Sequence, residues 1–399
     1  MFQLLLIIIY LAFISLGLPD SLLGSAWPSM YGELNVPVSF AGIISMIIAG
    51  GTIISSLFSD RLIRRFGTGL VTVVSVAMTA VALMGFSRSH SFTQLCLWGI
   101  PYGLGAGSVD AALNNFVALH YKSRHMSWLH CFWGVGATAG PYIMGLCLTR
   151  GLQWNSGYRT IGIIQFALVA CLLLSLPLWK SGKDDGKGET PEYKGIGLGE
   201  TLKLPGAKAI LTAFFCYCSL EATTGLWAGS FMVLHKGINA ETAAKWASLF
   251  YLGITIGRFI CGFITDRFGD QNMVRLGQFL AASGACLILL PFGNAAVLAG
   301  LILTGVGCAP IYPSLLHATP YNFGAEYSQS VMGMQMACAY VGTTLMPPLF
   351  GLLAEWIGVW LYPFYLLIFV AGMFIMTERM NRIRSASEKT DGIPSPDAV

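Results

Sequence analysis

Runs of about twenty apolar residues recur along the whole chain and constrain it more than any other feature. Of the 399 residues, 55% are hydrophobic and 11% are charged, whereas a soluble domain carries about 25% charged residues. A helix of about 20 apolar residues crosses the hydrocarbon core of a bilayer. The sequence therefore predicts an all-α membrane protein with twelve transmembrane helices, at 4–31, 39–58, 69–86, 93–120, 128–149, 158–179, 207–235, 243–264, 273–291, 294–317, 327–353 and 359–377.

A polar segment separates the sixth run from the seventh. It reads KSGKDDGKGETPEYKGIGLGETLKLPGAK, and its glycines and charges are typical of a linker. We expect an N-terminal six-helix bundle over 1–179, a linker over 180–206, a C-terminal six-helix bundle over 207–378 and a tail over 379–399.

The basic residues predict how the chain crosses the membrane. Most of the 23 Lys and Arg residues fall in the linker, the tail and the loops on the same side as both termini. Cytoplasmic loops carry an excess of Lys and Arg. We therefore expect a multi-pass protein of the plasma (inner) membrane with both termini in the cytoplasm.

Several classes of function are excluded by what the sequence lacks. The basic residues are scattered and form no basic face, so we expect no nucleic-acid partner. The sequence contains no P-loop, no HExxH motif and no nucleophile elbow, so we expect neither an enzyme nor an ATP-driven pump, and no cofactor or metal. The ten cysteines lie in apolar runs and are interpreted as small buried hydrophobes. The partners that we expect are a small-molecule substrate and the lipid bilayer.

The two halves of the chain share a set of landmarks at a nearly constant spacing. The matched pairs are Asp20 and Glu221, Gly67 and Gly269, Gly103 and Gly305, and Gly136 and Gly342. Four such matches in one order indicate an internal duplication. In transporters built from repeats, the substrate binds near mid-membrane at the interface of the repeats, and we expect the same arrangement here.

Twelve spans arranged as six plus six resemble the major facilitator superfamily, over nearly the whole chain. The loops SDRLIRRFG (59–67) and TDRFG (265–269) resemble that superfamily's Asp-Arg…Gly motif, which locks the inner gate. The resemblance implies a monomeric transporter. It also assigns gating roles to Asp60, Arg61, Arg65, Asp266 and Arg267.

Three further stretches resemble the fucose-permease group of sugar/proton symporters within that superfamily. They are GLGAGSVDAALNNF (103–116), LHCFWGVGATAGP (129–141) and LEATTGLWAGSF (220–231). In the first, Asp110 takes the place of the group's acid, which is usually Glu, and Asn114 takes the place of its Asn. The resemblance implies proton-coupled sugar uptake.

Three carboxylates lie near the middle of predicted spans: Asp20, Asp110 and Glu221. An ionised acid there costs at least about 2.5–3.5 kcal/mol on insertion scales, so such residues are functional by default. A low-dielectric environment raises the pKa of a carboxyl group, which lets it load and release a proton. We predict that all three are proton-coupling residues, with Asp110 foremost. The alternative is that each is a hydrogen-bonding group that joins helices. We expect no Lys or Arg at the same depth.

Sugars bind to aromatic faces and directional polar groups, and the spans offer both. The predicted substrate-binding residues are Asn114, Asn115, Trp27, His130, Trp133, Trp227, Tyr312 and Gln335, with Gln165 and Tyr340 as further candidates. Aromatic residues also serve packing and membrane interfaces, and a buried histidine is often simply a satisfied interior residue, so a structural role is the alternative for each.

Arg258 lies inside the eighth run and admits two interpretations. We expect its side chain to snorkel to the cytoplasmic surface. The alternative is a gating role through an ion pair with Asp266.

The predicted function is proton-coupled symport of a sugar or similar small polar solute by alternating access. A proton-coupled drug exporter is one alternative, because Gly136-x3-Gly140-Pro141-x3-Gly145 resembles the Gly-Pro motif of antiporters, although Met144 stands where that motif has a glycine. Sodium-coupled uptake and a ligand sensor are the others.

Overall fold

The computed structural model describes residues 2–20, 22–37, 40–180 and 196–391. Helices make up nearly all of this part of the chain, and it contains no β-strand. The helices are α1 (Phe2–Asp20), α2 (Leu22–Glu33), α3 (Ala41–Phe66), α4 (Thr68–Phe86), α5 (Phe92–His120), α6 (Ser123–Thr149), α7 (Trp154–Lys180), α8 (Leu198–Thr201), α9 (Ala207–Leu234), α10 (Ala240–Phe268), α11 (Asp270–Leu289), α12 (Asn294–His317), α13 (Thr319–Phe323), α14 (Ala325–Trp356) and α15 (Tyr362–Asp391), with a 3₁₀ turn at Val359–Leu361.

Eleven spans within the described residues are long and apolar enough to cross a membrane. They match eleven of the twelve predicted runs, and the first of them joins α1 and α2 as Gln3–Trp27. The remaining run, 93–120, is the 29-residue helix α5. At about 1.5 Å per residue α5 is long enough to span a bilayer, but the polar residues around Asp110 lower its hydropathy. The chain is a helical, multi-pass membrane protein.

The segments interpreted as loops around the two Asp-Arg motifs are helical instead. Residues 59–66 form the last two turns of α3, and residues 265–268 form the last turn of α10. Asp60 and Arg64 are one turn apart and form an ion pair of 3.0 Å along α3, which favours the helix. Each helix ends at a glycine with positive φ, 79° at Gly67 and 73° at Gly269, a conformation that glycine adopts without steric cost.

The last helix is longer than the sequence analysis predicts. The run ends at 377, yet α15 continues to Asp391, so the described part of the expected tail is helical. The residues beyond 377 are mostly good helix formers. Arg384 also donates a hydrogen bond of 3.1 Å from Nη1 to the side-chain oxygen of Asn322, which holds this extension to the protein.

The chain divides into two compact units. Unit 1 comprises Met1–Phe116, Trp128–Gly195 and Ala325–Ala337, and unit 2 comprises Val117–Ser127, Ile196–Gly324 and Cys338–Val399. Each unit contains most of one predicted half and a short segment of the other. The boundaries predicted for the linker stay a prediction, because its residues 181–195 lie outside the described part.

The two units repeat the same close contact between helices. In unit 1, a Cβ atom on Gly103 of α5 would overlap the carbonyl oxygen of Ile48 of α3. In unit 2, a Cβ atom on Gly305 of α12 would overlap the carbonyl oxygen of Phe250 of α10. Both residues of the second pair follow those of the first by the same number of positions. The same helix contact therefore occurs in both units, as the predicted duplication implies.

Candidate functional site

Backbone contact between α1 and α6 positions the acid of unit 1. A Cβ atom on Gly17 would overlap the carbonyl oxygen of Trp133, and one on Gly136 would overlap that of Ile14. Small residues at such positions let helix backbones approach closely. This approach brings Trp133 of α6 to the side chain of Asp20 at the end of α1.

Asp20 accepts hydrogen bonds from two neutral aromatic donors. Trp133 donates from Nε1 to Oδ2 at 2.9 Å, and the hydroxyl of Tyr102 donates to Oδ1 at 3.2 Å. Asp20 is nevertheless exposed rather than buried. A carboxylate that is bound by neutral donors on one side and exposed on the other can bind a proton. It can also accept a hydrogen bond from a hydroxyl group of a ligand.

A chain of hydrogen bonds links three predicted residues of unit 1. Asn114 donates from Nδ2 to the Oδ1 atom of Asp110, one helical turn earlier on α5, at 2.8 Å. The Nε2 atom of His130 on α6 lies 3.0 Å from the Oδ1 atom of Asn114. With the amide oriented to donate to Asp110, its oxygen accepts from His130, which places the imidazole proton on Nε2. Asp110 is thereby connected through Asn114 to a buried histidine on the neighbouring helix.

The side chain of Gln165 is bound at both of its polar atoms within unit 1. Pro19 has no N–H group to bond the carbonyl oxygen of Ser15 one turn earlier, and Gln165 donates to that oxygen from Nε2 at 2.8 Å. The amide oxygen of Gln165 accepts from the hydroxyl of Thr79 at 2.7 Å. Gln165 is 1% exposed, so its two polar atoms serve the fold.

The acid of unit 2 lies beside a buried cation, which corrects two expectations. Arg258 is 4% exposed, and its Nη2 atom lies 3.6 Å from the Oε2 atom of Glu221. Arg258 therefore does not snorkel. It lies about three turns from the end of α10, roughly 15 Å by helical rise, which is too far for an arginine side chain. A basic residue thus does lie at the depth of Glu221, contrary to the sequence analysis.

Tyrosines complete this group in unit 2. The hydroxyl of Tyr217 donates to Oε2 of Glu221, and Nη2 of Arg258 lies 3.4 Å from that hydroxyl. The predicted residue Tyr312 packs against Tyr217, with ring centroids 5.6 Å apart. The centre of this group is the carboxylate of Glu221 and the guanidinium of Arg258. The rings of Tyr217 and Tyr312 lie beside it.

The remaining predicted substrate residues are mainly buried. Trp27 lies in an apolar cluster with Leu18, Met144 and Trp154. Trp227 donates from Nε1 to the carbonyl oxygen of Pro347 at 2.9 Å. The others are Asn115 and Gln335, which are buried, and Tyr340, which is half-buried.

The predicted gating residues of unit 1 lie in the last two turns of α3. Asp60 is bound by Arg64, whereas Arg61 and Arg65 lie over the rings of Phe58 and Phe66, at 5.5 Å and 5.3 Å. Their gating role stays a prediction.

In unit 2, Asp266 contacts Arg124. The backbone N–H of Arg124 donates to Oδ1 of Asp266 at 3.2 Å, and the Nε atom lies 3.6 Å from Oδ2. The next acid, Asp270, accepts from Ser123 at 2.5 Å and lies 2.6 Å from Nδ1 of His317. Arg267 is exposed and lines a cavity of about 770 Å³. Residues 117–127 are thus bound to the ends of α10, α11 and α12.

The sequence analysis misses Tyr102, Arg124, Asp270 and His317, along with two residues that helical spacing could have found. Tyr217 precedes Glu221 by one turn, and Arg64 follows Asp60 by one turn, so each pair shares a helix face. Among the described residues, no group of three or more His, Cys, Asp or Glu side chains could hold a metal ion.

Comparisons with known proteins agree with this architecture. The sequence is 22% identical to the Bacillus subtilis "Glucose/mannose transporter GlcP" over 86% of each chain. It is also 22% identical to the "Cis,cis-muconate transport protein" of Acinetobacter baylyi, over 87% of this chain and 86% of that one. The fold matches the crystal structure of the E. coli fucose:proton symporter FucP with a TM-score of 0.73 and 17% identity, covering 95% of this chain and 98% of that chain.

The family model of the Major Facilitator Superfamily matches residues 9–245 and 209–392. These matches together cover nearly the whole chain. The protein belongs to the major facilitator superfamily, and it is a transporter of that superfamily.

Proposed function

We propose that the protein takes up a small polar solute together with protons, by alternating access, with sugars as the first class to test. The observation that carries the proposal is the hydrogen-bonded chain from Asp110 through Asn114 to His130. Intramembrane carboxylates mark proton relays by default, and a neighbouring amide and imidazole stabilise either protonation state. We propose that the protein lies in the plasma (inner) membrane with cytoplasmic termini, as a monomer.

In this mechanism Asp110 takes the coupling proton from the outside. Neutralising it lowers the cost of moving the group through a conformational change in the low-dielectric interior. Asp20, with Trp133 and Tyr102 around it, offers a hydrogen-bond acceptor for substrate hydroxyls beside two aromatic faces. The names of two similar proteins, a glucose/mannose transporter and a fucose:proton symporter, support sugars as the first class.

The test is substrate-panel uptake into proteoliposomes with an imposed pH gradient. Alkalinisation of the medium when a sugar is added supports symport. Proton release from inside-out vesicles when a lipophilic cation is added supports the exporter instead. Uptake that follows a sodium gradient at constant pH supports sodium coupling.

The first prediction concerns Asp110. Asp110→Asn is expected to abolish gradient-driven accumulation while sparing exchange, because an amide cannot carry the proton. The lost driving force is about 1.4 kcal/mol, or tenfold accumulation, per unit of pH gradient for one coupled proton. The matched control is Asp110→Glu, which keeps a carboxyl group and is expected to retain accumulation. Full accumulation by Asp110→Asn would end the proposal.

A small organic acid is a second candidate substrate. The buried Arg258 favours it, and the name of the muconate transport protein is consistent with it.

A further inference from the structure

Unit 2 contains a buried cation and, beside it, a partly exposed acid. The side chain of Arg258 is 5% exposed and that of Glu221 is 21% exposed. Of the two charged side chains, the acid is therefore the more accessible one. The titratable groups that face this pair are Tyr217 from α9, Tyr251 and Cys261 from α10, and Cys308 and Tyr312 from α12.

The charge balance of this group restricts where a proton can go. A guanidinium stays protonated in proteins, and removing the partner of a buried charge is strongly unfavourable because the remaining charge is uncompensated. A proton that adds to Glu221 removes the negative charge beside Arg258. Another anion at the guanidinium would restore the charge balance, so its arrival favours protonation of Glu221.

The ion pair between Arg258 and Glu221 is also longer than another ion pair of the same unit. Arg275 donates to both carboxylate oxygens of Glu378, at 2.6 Å from Nε and 2.9 Å from Nη2. By contrast, Arg258 lies 3.6 Å from Glu221, beyond the distance of a charge-assisted hydrogen bond. An incoming carboxylate that binds bidentately to the guanidinium would make the stronger pair.

Tyr217 can stabilise both states of this exchange. Its hydroxyl donates to the ionised Glu221, and a hydroxyl can also accept a hydrogen bond from a protonated carboxyl group. Tyr251 is 51% exposed, and its hydroxyl lies against Gly225, one turn beyond Glu221. The ring of Tyr251 therefore lies near the acid.

We propose that Glu221 and Arg258 form a charge-exchange site that binds the carboxylate group of a small anionic solute, such as a sugar acid or an aromatic acid. One proton from solution adds to an Oε atom of Glu221, and one substrate carboxylate takes its place at Arg258. No bond to carbon forms or breaks, and the net charge of the site is unchanged. The proposal rests on the proposed proton-coupled uptake and narrows its substrate to carboxylic acids.

The experiment compares matched acids and alcohols on the purified full-length protein. Galacturonate is paired with galactose, and 4-hydroxybenzoate with 4-hydroxybenzyl alcohol. Binding is measured by calorimetry, and proton uptake is measured with an indicator in weakly buffered detergent. We expect one member of the acid set to bind at least tenfold tighter than its neutral partner, with one proton taken up per bound anion.

Two variants separate the roles of the pair. Glu221→Gln is expected to bind the acid without proton uptake and with little dependence on pH. Arg258→Gln is expected to lose the tenfold preference for the acid. The double variant, which removes both charges, is the folding control, and it is expected to elute as a monodisperse peak and to bind acid and alcohol equally.

The outcomes distinguish this proposal from the proposed function. If galactose drives proton-coupled uptake in the wild type and in Arg258→Gln alike, the charge-exchange proposal is overturned while proton-coupled sugar uptake stands. If the acid binds with no proton uptake, the exchange is overturned. If no acid or alcohol of the panel binds or enters proteoliposomes with a proton, both proposals are overturned.

Discussion

Asp20 in unit 1 and Glu221 in unit 2 occupy equivalent places in the internal repeat, yet their surroundings differ in charge. Neutral donors, Trp133 and Tyr102, bind Asp20, whereas Glu221 lies beside the guanidinium of Arg258. The positions that correspond to Arg258 and Tyr312 in unit 1 are Ser56 and Asp110. The two units thus share the same helix packing, but the charges around their equivalent acids differ.

One helix arrangement can therefore surround equivalent carboxylates with different charges, and the charges decide how each carboxylate can bind a proton. A carboxylate among neutral donors can gain a proton without leaving a charge behind. When a carboxylate beside a fixed cation gains a proton, the cation loses a negative neighbour, which an incoming anion can replace. In the proposed mechanisms, unit 1 therefore binds a proton by itself, and unit 2 binds a proton together with an anion.

The largest expected effect is a difference in stability between variants of the two acids. In buffer without organic anions, Glu221→Gln is expected to lower the free energy of unfolding by about 3–5 kcal/mol, because the buried Arg258 loses the negative charge of Glu221. Asp20→Asn is expected to cost only about 1 kcal/mol, since its neutral donors keep an acceptor. Denaturant unfolding in mild detergent measures both. The double variant Glu221→Gln/Arg258→Gln should recover most of the loss, and equal losses for the two single variants would contradict the comparison.

The next effect concerns the helix contacts that place these acids. A Cβ atom on Gly136 would overlap the carbonyl oxygen of Ile14, whereas one on Gly342, its counterpart, would lie 2.7 Å from that of Phe215. Overpacking costs about 1–3 kcal/mol, so we expect about 3 kcal/mol for Gly136→Ala and about 1 kcal/mol for Gly342→Ala by thermal unfolding. Gly145→Ala is the control, because a Cβ atom there meets nothing within 4 Å.

A third effect depends on Pro19, whose equivalent position in unit 2 is not a proline. Gln165→Leu is expected to cost about 2 kcal/mol, because the carbonyl oxygen of Ser15, bypassed by Pro19, loses its donor. The residue corresponding to Pro19 in α9 is Leu220, which leaves no such carbonyl. Gln278→Leu in unit 2, whose amide donates to Thr377, is the matched control and is expected to cost about half as much. Equal losses in chemical unfolding would show that the proline is irrelevant.

The smallest effect compares two tryptophan donors. Trp133 donates to the carboxylate of Asp20 and Trp227 to the carbonyl oxygen of Pro347. Hydrogen bonds to charged groups contribute about 1.5–3 kcal/mol and those to neutral groups about 0.5–1.5 kcal/mol. We therefore expect Trp133→Phe to be less stable than Trp227→Phe by about 1 kcal/mol above pH 7. The difference should shrink in acid, where Asp20 is protonated, and a pH-independent difference would contradict this.

Much of the fold could be predicted because it depends on local composition. Apolar runs, the glycines at 67 and 269, and the spacing of the two Asp-Arg motifs all lie in short windows of sequence. The helical continuation through residues 59–66 was missed because charged residues were interpreted as loop residues, although Asp60 and Arg64 stabilise the helix together.

The site could be predicted only in part. The chain from Asp110 to His130 joins residues that the sequence analysis had selected, since Asp110 and Asn114 share a helix face. The pairing of Glu221 with Arg258 was missed because it joins two helices. Which face of α10 meets α9 depends on packing, and the basic residue was assigned to the surface on hydrophobicity alone.

The sequence by itself determined that this chain is a duplicated bundle of membrane-spanning helices, because bilayer thickness and backbone hydrogen bonding leave apolar runs of this length no other stable arrangement. It also determined that three acids lie within those helices. Only the tertiary structure decided which acid meets neutral donors and which meets a cation. Those contacts depend on the rotation and approach of neighbouring helices, which glycine contacts such as Gly136 to Ile14 set by backbone overlap.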